Sequence, residues 1–337
     1  MRRITARILT RHGYEVVEAS GGEEAMTIYE GMRPRPRVPP ACSRSRSARR
    51  RCCTRSARCW RAASVRRSDI KLPVPEELAC LDGAVAPSKD TFVPATDAGL
   101  LRGDGVFEVV RVYHGRPFAL REHLDRMERS AQRSRLGWEV PRRELEAEGP
   151  MLLEARGAEA FDGLLRIVLT RGGRRLLLTE PLPPSPERPR LGFVTYAPTR
   201  VLDGVKTLSY GANMLASRLA RERGFDEALL VTPHDRVLEA PTASIFWVSG
   251  DGGLTTPPLE DHILASITRD LVLRLLEVRE APLTTDELLS AREAFLCSTT
   301  REVQPVAAVE DQELGEPGER TREAAAALRQ YIRGALD

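Results

Sequence analysis

The chain has 337 residues, 42% of them apolar and 29% charged, and a net charge of +3. This is enough material for two compact domains. Because it contains no run of about 18 apolar residues and no signal-peptide-like N-terminus, we expect neither a membrane protein nor a secreted one, but a cytoplasmic globular protein.

Residues 1–32 predict a helix, a short strand at Tyr14–Glu18 and a second helix that begins after Ser20-Gly21-Gly22. This order, and the segment GYEVVEASGGEEAM, resembles the first third of a response-regulator receiver domain. A working receiver needs an acidic pair before the first helix and a phosphoacceptor aspartate after the second, and both regions are missing. We therefore predict a truncated receiver-like fragment without phosphotransfer activity.

The next segment, residues 33–70, is dominated by arginine. Residues 33–67 contain 13 arginines and no aspartate, glutamate or lysine, so the rest of the chain carries a net negative charge. Without apolar periodicity this segment cannot bury enough surface to fold, and we predict that it is disordered. An arginine-rich arm can bind nucleic-acid phosphates. The abrupt change of composition is more typical of a shifted reading frame, however, so we expect no nucleic-acid partner.

From residue 71 the pattern becomes regular and predicts alternating strands and helices. The elements expected before residue 180 are a strand and turn at 79–86, a strand at Val106–Tyr113, helices at 121–135 and 142–157, and a strand at Leu164–Thr170. The proline-rich residues 181–190 are typical of a linker.

Beyond this linker a second set of elements follows. We predict strands at 191–197, 227–232, 244–249 and 294–298, and helices at 213–223 and from Ser266 onward. The fold class is therefore predicted to be α+β, with a small lobe at residues 71–188 and a large lobe at residues 189–337.

Lysine is the informative residue because the chain has only three, Lys71, Lys89 and Lys206. Lys206 lies between a predicted strand and a predicted helix, at the edge of a packed segment. Partial desolvation there lowers the pKa of a lysine and makes its neutral amine available as a nucleophile. From spacing alone, an ordinary surface lysine remains the simpler interpretation.

Three other polar positions could carry chemistry. Glu239 follows a predicted turn, and a carboxylate can hold the ring nitrogen of a heterocyclic cofactor protonated. Ser266-Ile267-Thr268 begins a helix, and Ser298-Thr299-Thr300 ends a strand; both places offer backbone N–H groups and hydroxyls to a phosphate. Each is weak alone, because a serine or threonine at a helix start is most often a plain N-cap.

Taken together, these residues resemble the class IV aminotransferases, the fold-type IV enzymes that use pyridoxal 5'-phosphate. The resemblance runs from about residue 78 to about residue 310. The segments that carry it are GDGVFEVVRVYHGRPFALREHLDRM, VKTLSYGANMLASRLARERGFDEALL, VLEAPTASIF, ILASITRD and STTREVQPV. It implies a two-lobed fold like that of D-amino acid aminotransferase, a homodimer, and amino and keto acids as substrates, with no metal.

The resemblance also implies roles for individual residues. Lys206 would form the Schiff base with the cofactor and move the proton, and Glu239 would pair with the pyridine nitrogen. The remaining cofactor-binding residues would be Arg126, Tyr210, Ile267, Thr268 and Thr299. Substrate contacts are expected from Phe107 and Thr300, and Arg166 or Arg171 could hold a substrate carboxylate through a bidentate guanidinium pair, although an outward-facing arginine on a strand is the simpler interpretation.

Three activities within this family stay open. The strand Phe107–Tyr113 resembles the transaminases, which favours a branched-chain amino acid transaminase. A 4-amino-4-deoxychorismate lyase, which releases pyruvate and 4-aminobenzoate, is the first alternative, since Leu169-Thr170-Arg171-Gly172 looks more like the lyase and D-amino acid groups. A D-amino acid transaminase is the second, although the Arg-x-His pair typical of it is replaced by Arg174-Arg175-Leu176.

Overall fold

The computed structural model of the chain describes residues 77–336. The receiver-like fragment at residues 1–32 and the arginine-rich residues 33–70 lie outside this range and stay predictions. Within the range, no helix combines the length and the apolar character that crossing a membrane requires.

The first part of the described chain forms one antiparallel sheet in the order β2-β1-β6-β5-β3-β4. Its strands are β1 (Leu78–Leu81), β2 (Ala84–Pro87), β3 (Gly105–Tyr113), β4 (Arg116–Pro117), β5 (Gly163–Thr170) and β6 (Arg175–Glu180). β3 and β5 are its longest pair, with Phe107 opposite Val168. The even-numbered side of β3, including Val106 and Val110, faces the core. Phe107 and Val109, on the other side, line a cavity.

Helices cover the core side of this sheet. The helices that cover it are α2 (Leu120–Arg133) and α3 (Arg142–Arg156), whereas the short helix α1 (Ala98–Arg102) has no buried residue. On α2, Leu124, Met127 and Ala131 recur at helical spacing and are buried in the same core as Val110. Full burial of a side chain of this size contributes roughly 1.5–3 kcal/mol, which is why α2 lies against β3.

Residues 181–189 contain no helix or strand. The two sheets that follow are ordered β12-β11-β10-β14-β15 and β13-β9-β8-β7-β16-β17. Their longer strands are β7 (Arg190–Thr195), β8 (Glu227–Val231), β10 (Ser244–Val248), β11 (Leu254–Thr256), β14 (Glu293–Ser298) and β15 (Glu302–Pro305). The short strands are β9 (Arg236–Val237), β12 (Arg279–Glu280), β13 (Leu283–Thr284), β16 (Ala308–Val309) and β17 (Gln312–Glu313).

Helices also pack on these two sheets. They are α4 (Gly211–Glu222), α5 (Ile267–Leu275), α6 (Thr285–Leu289) and α7 (Glu319–Leu336). β8 and β10 are buried along their whole length. One core joins α5 and α7 to β10 and β14, where Phe246 and Phe295 stack 4.9 Å apart.

The α+β fold class is confirmed, and most predicted elements are present within two or three residues of their expected bounds. α2 ends at Arg133, earlier than predicted, and Arg135 adopts a positive φ of 50°. Strand β6 and helix α7 were not predicted. The first sheet consists of residues before the linker, and the other two consist of residues after it.

Candidate active site

Lys206 lies on a short segment that pairs with the beginning of β3. Leu208 N donates to Gly105 O at 2.9 Å, and Phe107 N donates to Lys206 O at 3.1 Å. Lys206 N also donates to Ser130 Oγ of α2 at 3.2 Å. These three backbone contacts attach Lys206, which follows the linker in sequence, to the sheet that precedes the linker.

The side chain of Lys206 faces a cavity of about 730 Å³. Its Nζ lies 4.6 Å from the centre of the Phe107 ring. Burial, and secondly the nearby charge of Arg126, lower the pKa of Lys206 to about 8. The structure therefore provides a lysine with a substantial fraction of neutral amine near physiological pH.

Glu239 lines the same cavity and is held by the backbone: Leu264 N donates to Glu239 Oε1 at 3.1 Å. Burial raises the pKa of Glu239 to about 7, and the hydrogen bond from Leu264 and the charge of Lys206 only partly oppose this. A cation beside a carboxyl group in this environment would stabilise its ionised form.

Two aromatic residues form one side of the cavity near the lysine. Phe107 and Tyr210 are in edge-to-face contact with ring centres 5.5 Å apart, an arrangement that aromatic pairs favour. The Tyr210 hydroxyl donates to the carbonyl of Pro241, in the loop after Glu239. Burial raises the pKa of Tyr210, so its hydroxyl stays protonated.

Arg126 is held by a buried carboxylate. Arg126 Nε and Nη2 donate to the two oxygens of Glu108, each at 2.7 Å, and Nη1 donates to Ala265 O at 3.1 Å. His123 Nδ1 lies 2.7 Å from the same carboxylate. Glu108 is fully buried, and Arg126 also lines the cavity. The pair places a guanidinium group beside the residues that precede α5.

The beginning of α5 and the turn after β14 lie close together. Ser266 caps α5 by accepting from Arg269 N at 3.3 Å. The N–H groups of Ile267 and Thr268 belong to the first turn, where a helix supplies no carbonyl partners. Ile267, Thr268 and Thr299 border a small hollow together with His123. Ser266 and Thr299 also line the main cavity.

The structure separates the two arginines proposed for substrate binding. Arg166 of β5 lines the cavity, where its Nε and Nη2 donate to the carboxylate of Glu180, each at 2.8 Å. Thr300 lines it as well. Arg171 lies outside the cavity lining, and its guanidinium binds Asp104 and the carbonyls of Ser134 and Leu136. The structure therefore gives no support to a substrate contact by Arg171, which ties the turn after β5 to the end of α2.

Sequence reasoning missed several residues of this site. Glu108 is one: on an alternating strand it falls on the core side, and a carboxylate there needs a buried partner. Ser130, which accepts from Lys206 N, gives no sequence signal, because its role depends on how α2 packs. Ser244 is a different case, because the sequence already placed this polar residue at the start of a strand after Glu239; its Oγ is almost fully buried in the cavity wall, and within residues 77–336 it has no hydrogen-bond partner. A buried hydroxyl in this position can bind a polar group that enters the cavity.

Comparison with known protein families agrees with this geometry. The family profile described as amino-transferase class IV matches residues 105–309. The chain belongs to the class IV aminotransferases. This range includes Lys206, Glu239, Arg126 and the polar ends of α5 and β14.

Two relatives and one solved structure illustrate the range of the family. A protein of Methanocaldococcus jannaschii, provisionally named a branched-chain-amino-acid aminotransferase, is 36% identical over 249 residues, which cover 67% of this chain and 85% of the relative. The D-alanine aminotransferase of Bacillus licheniformis is 31% identical over 274 residues, covering 74% and 95%. The branched-chain amino acid aminotransferase of Thermobaculum terrenum in its pyridoxal-phosphate form is 27% identical, with a TM-score of 0.68 and coverage of 77% and 95%.

Class IV aminotransferases use pyridoxal 5'-phosphate, so the cofactor predicted from the sequence is confirmed. The residues of this chain fit that cofactor. The cavity offers a lysine with a lowered pKa, a carboxyl group with a raised pKa and a buried hydroxyl, that of Ser244, with no hydrogen-bond partner in the described part of the chain. At its edge, Arg126 lies beside the beginning of a helix, which is a combination suited to a phosphate group.

Proposed function

We propose that this class IV aminotransferase transfers an amino group between a small apolar amino acid of the branched-chain type and a 2-keto acid such as 2-oxoglutarate. The observation that carries the proposal is the composition of the cavity wall. β3 and β5 contribute Phe107, Val109 and Leu164 to it, an apolar surface that favours an aliphatic side chain. The Methanocaldococcus jannaschii relative supports the same substrate class.

We assign the central chemistry to Lys206 and Glu239. Bound pyridoxal 5'-phosphate supplies an electron sink for the pair of electrons left when the substrate Cα–H bond breaks. Lys206 is the point of covalent attachment and the base: with a pKa of about 8 its Nζ can accept the proton from Cα and return it. Glu239 would pair with the ring nitrogen, where a positive charge would favour the ionised carboxylate whose pKa burial has raised to about 7.

We assign the phosphate to Arg126, the N–H groups of Ile267 and Thr268, and Thr299. The bidentate bond to Glu108 fixes the direction of the Arg126 guanidinium in advance, so little conformational freedom is lost on binding. Tyr210, whose hydroxyl donates to the Pro241 carbonyl, would lie beside the cofactor ring.

Phe107, Arg166 and Thr300 are the proposed substrate contacts. Glu180 accepts from Nε and Nη2 of Arg166 and so orients the guanidinium; we propose that its Nη1 donates to the substrate carboxylate. A D-amino acid transaminase is the second candidate, because the Bacillus licheniformis relative shares 31% identity over nearly its whole length. Arg174 and Arg175 do not support it in this chain, since they bind Asp82 and Glu148.

The test is the visible absorbance of the purified protein loaded with pyridoxal 5'-phosphate, recorded before and after adding L-leucine, D-alanine or aminodeoxychorismate. We expect L-leucine alone to change the spectrum, with transfer to 2-oxoglutarate. A response to D-alanine alone would replace the L-amino acid proposal, and release of pyruvate from aminodeoxychorismate without a keto acid would indicate a lyase. Lys206→Ala should abolish both the cofactor band and turnover; near-normal transamination by this variant would refute the assignment.

We also propose that the lobes are residues 71–188 and 189–337 and that the protein is a homodimer. The sheets on either side of the linker support the lobe boundary. Large exposed apolar side chains support association. The four most exposed among the described residues are Phe92, Leu100, Leu101 and Val201.

A further inference from the structure

The linker between the proposed lobes is one wall of the active-site cavity. Pro183, Pro184 and Ser185 all line it, although they are exposed on their outer side. The segment belongs to no helix or strand, so ladder hydrogen bonds do not hold it. Two consecutive prolines make it stiff, and a stiff segment is positioned by the contacts at its end.

Gln304 of β15 makes those contacts. Its Nε2 donates to Pro186 O at 2.6 Å and to Ser185 Oγ at 2.9 Å. The side-chain oxygen of the same amide accepts from Arg301 Nη1 at 3.0 Å. Arg301 has only donors, so it forces the amide oxygen of Gln304 toward itself and the amide N–H groups toward the linker.

Arg301 is itself fixed by the large lobe. Its Nη2 donates to the carboxylate of Glu227 and, at 3.0 Å, to Thr242 Oγ1. Glu227 is buried, and its other oxygen accepts from Ser217 Oγ at 3.1 Å. A planar guanidinium with acceptors on three separate elements has one favourable orientation. Arg301 also follows Thr300, a proposed substrate contact, directly in sequence and lines the cavity.

We infer that Arg301 and Gln304 determine the size of the substrates that this site accepts, because they hold the linker in place as a cavity wall. The inference rests on the proposed function. Neither residue is assigned a part in the chemistry: Gln304 positions the linker, and Arg301 positions Gln304. When the two donations from Gln304 are lost, the wall formed by residues 183–185 moves outward and larger substrates gain access.

The variants that isolate this role are Gln304→Glu and Gln304→Met. Glutamate keeps the shape of the side chain and the bond from Arg301 but cannot donate to the linker when ionised, and methionine removes the donation without adding a charge. Gln312→Glu and Gln312→Met are the matched controls. Gln312 is an exposed glutamine of β17 whose Nε2 donates to Glu313 O at 3.0 Å.

The first measurement is cleavage of the cofactor-loaded protein at Glu187, an exposed linker residue, by a glutamate-specific protease with the site identified by mass spectrometry. Cleavage follows the population of the open segment. We expect both Gln304 variants to be cut at least about fivefold faster than the parent protein, as the loss of two hydrogen bonds implies, and both Gln312 variants to match the parent. Unchanged cleavage in the Gln304 variants would overturn the inference.

The second measurement is calorimetric affinity of the loaded protein for 3-methyl-2-oxobutanoate and for the larger phenylpyruvate. We expect the ratio of affinities to move about tenfold toward phenylpyruvate in both Gln304 variants, with kcat for small amino acids changed less than twofold. A loosened linker with an unchanged ratio, or a parent protein that binds neither keto acid, would overturn the size inference. A shifted ratio without transamination by the parent would count against the proposed function alone.

Discussion

Glu108 shows how one buried charge positions a residue of the candidate active site, Arg126. It lies on the core side of β3, between valines, yet its carboxylate binds Arg126 through two bonds and contacts His123. Burial alone would raise the pKa of Glu108, but the charge and hydrogen bonds of Arg126 outweigh it and lower the pKa to about 2. The opposite balance at Glu239, where burial dominates, raises its pKa to about 7. Of these two buried carboxyl groups, Glu108 therefore stays ionised beside Arg126, whereas Glu239 takes up a proton more readily.

Replacing Glu108 with glutamine should therefore destabilise the protein strongly. The change leaves Arg126 buried without its counter-charge, and we expect the free energy of unfolding at pH 7 to fall by about 3 kcal/mol in urea titrations. Because the folded-state pKa is lowered from 4.5 to about 2, this stabilisation is present above pH 4.5 and is lost as the pH falls toward 2. The difference between parent and variant should shrink over that interval.

The control for this prediction is Glu146→Gln. Glu146 pairs with Arg142 at 3.0 Å, but about half of its side chain is exposed, so the expected loss is below about 1 kcal/mol. Equal losses in the two variants, or a Glu108 effect that persists at pH 2, would contradict the account of Glu108.

At the scale of elements, the site depends on the pairing of residues 206–208 with the beginning of β3. Gly105 allows this pairing. A Cβ at this position would lie 2.6 Å from Leu208 Cδ1 and closer still to the Leu169 carbonyl oxygen on β5. The segment carrying Lys206 can approach β3 this closely only because residue 105 has no side chain.

Gly105→Ala should accordingly displace the Lys206 segment. We expect thermal and urea unfolding to show a loss of about 1–3 kcal/mol, together with weaker retention of pyridoxal 5'-phosphate during dialysis. Gly211→Ala is the matched control. Gly211 begins α4 and has open space around the position of a Cβ, so alanine there should be neutral or stabilise by about 0.5 kcal/mol. A Gly105→Ala protein that behaves like the control would disprove the role given to this pairing.

At the scale of the whole molecule, the exposed apolar residues lead to a prediction about assembly. Phe92, Leu100, Leu101 and Val201 are each more than 60% exposed, whereas Val85 is 37% exposed. We expect light scattering to give the mass of a dimer for the parent protein and for Val85→Glu, and to show dissociation for Leu101→Glu at micromolar concentration. A parent protein with the mass of one chain would disprove the homodimer.

The sequence predicted the individual helices and strands better than it predicted which of them lie next to each other. The apolar spacing of α2 indicated both the helix and its buried side, because that signal is local. α7 was missed although its buried residues Thr321, Ala324, Leu328 and Ile332 recur every three or four positions, since two of them are small or polar and make the apolar stripe weak. β6 was missed because its strand character depends on pairing with β1 and β5.

The family and the cofactor were determined by the sequence alone, because short sequence motifs identify both, and the same motifs single out the rare Lys206 as the proposed Schiff-base residue. Only the tertiary structure decided which charges meet. It placed Arg166 in the cavity and Arg171 outside it, although they lie five residues apart and both could have bound a carboxylate. It also brought Gln304 to the linker and Glu108 to Arg126. Such pairings join residues that are distant along the chain, and their energies depend on burial and direction, which no local pattern encodes.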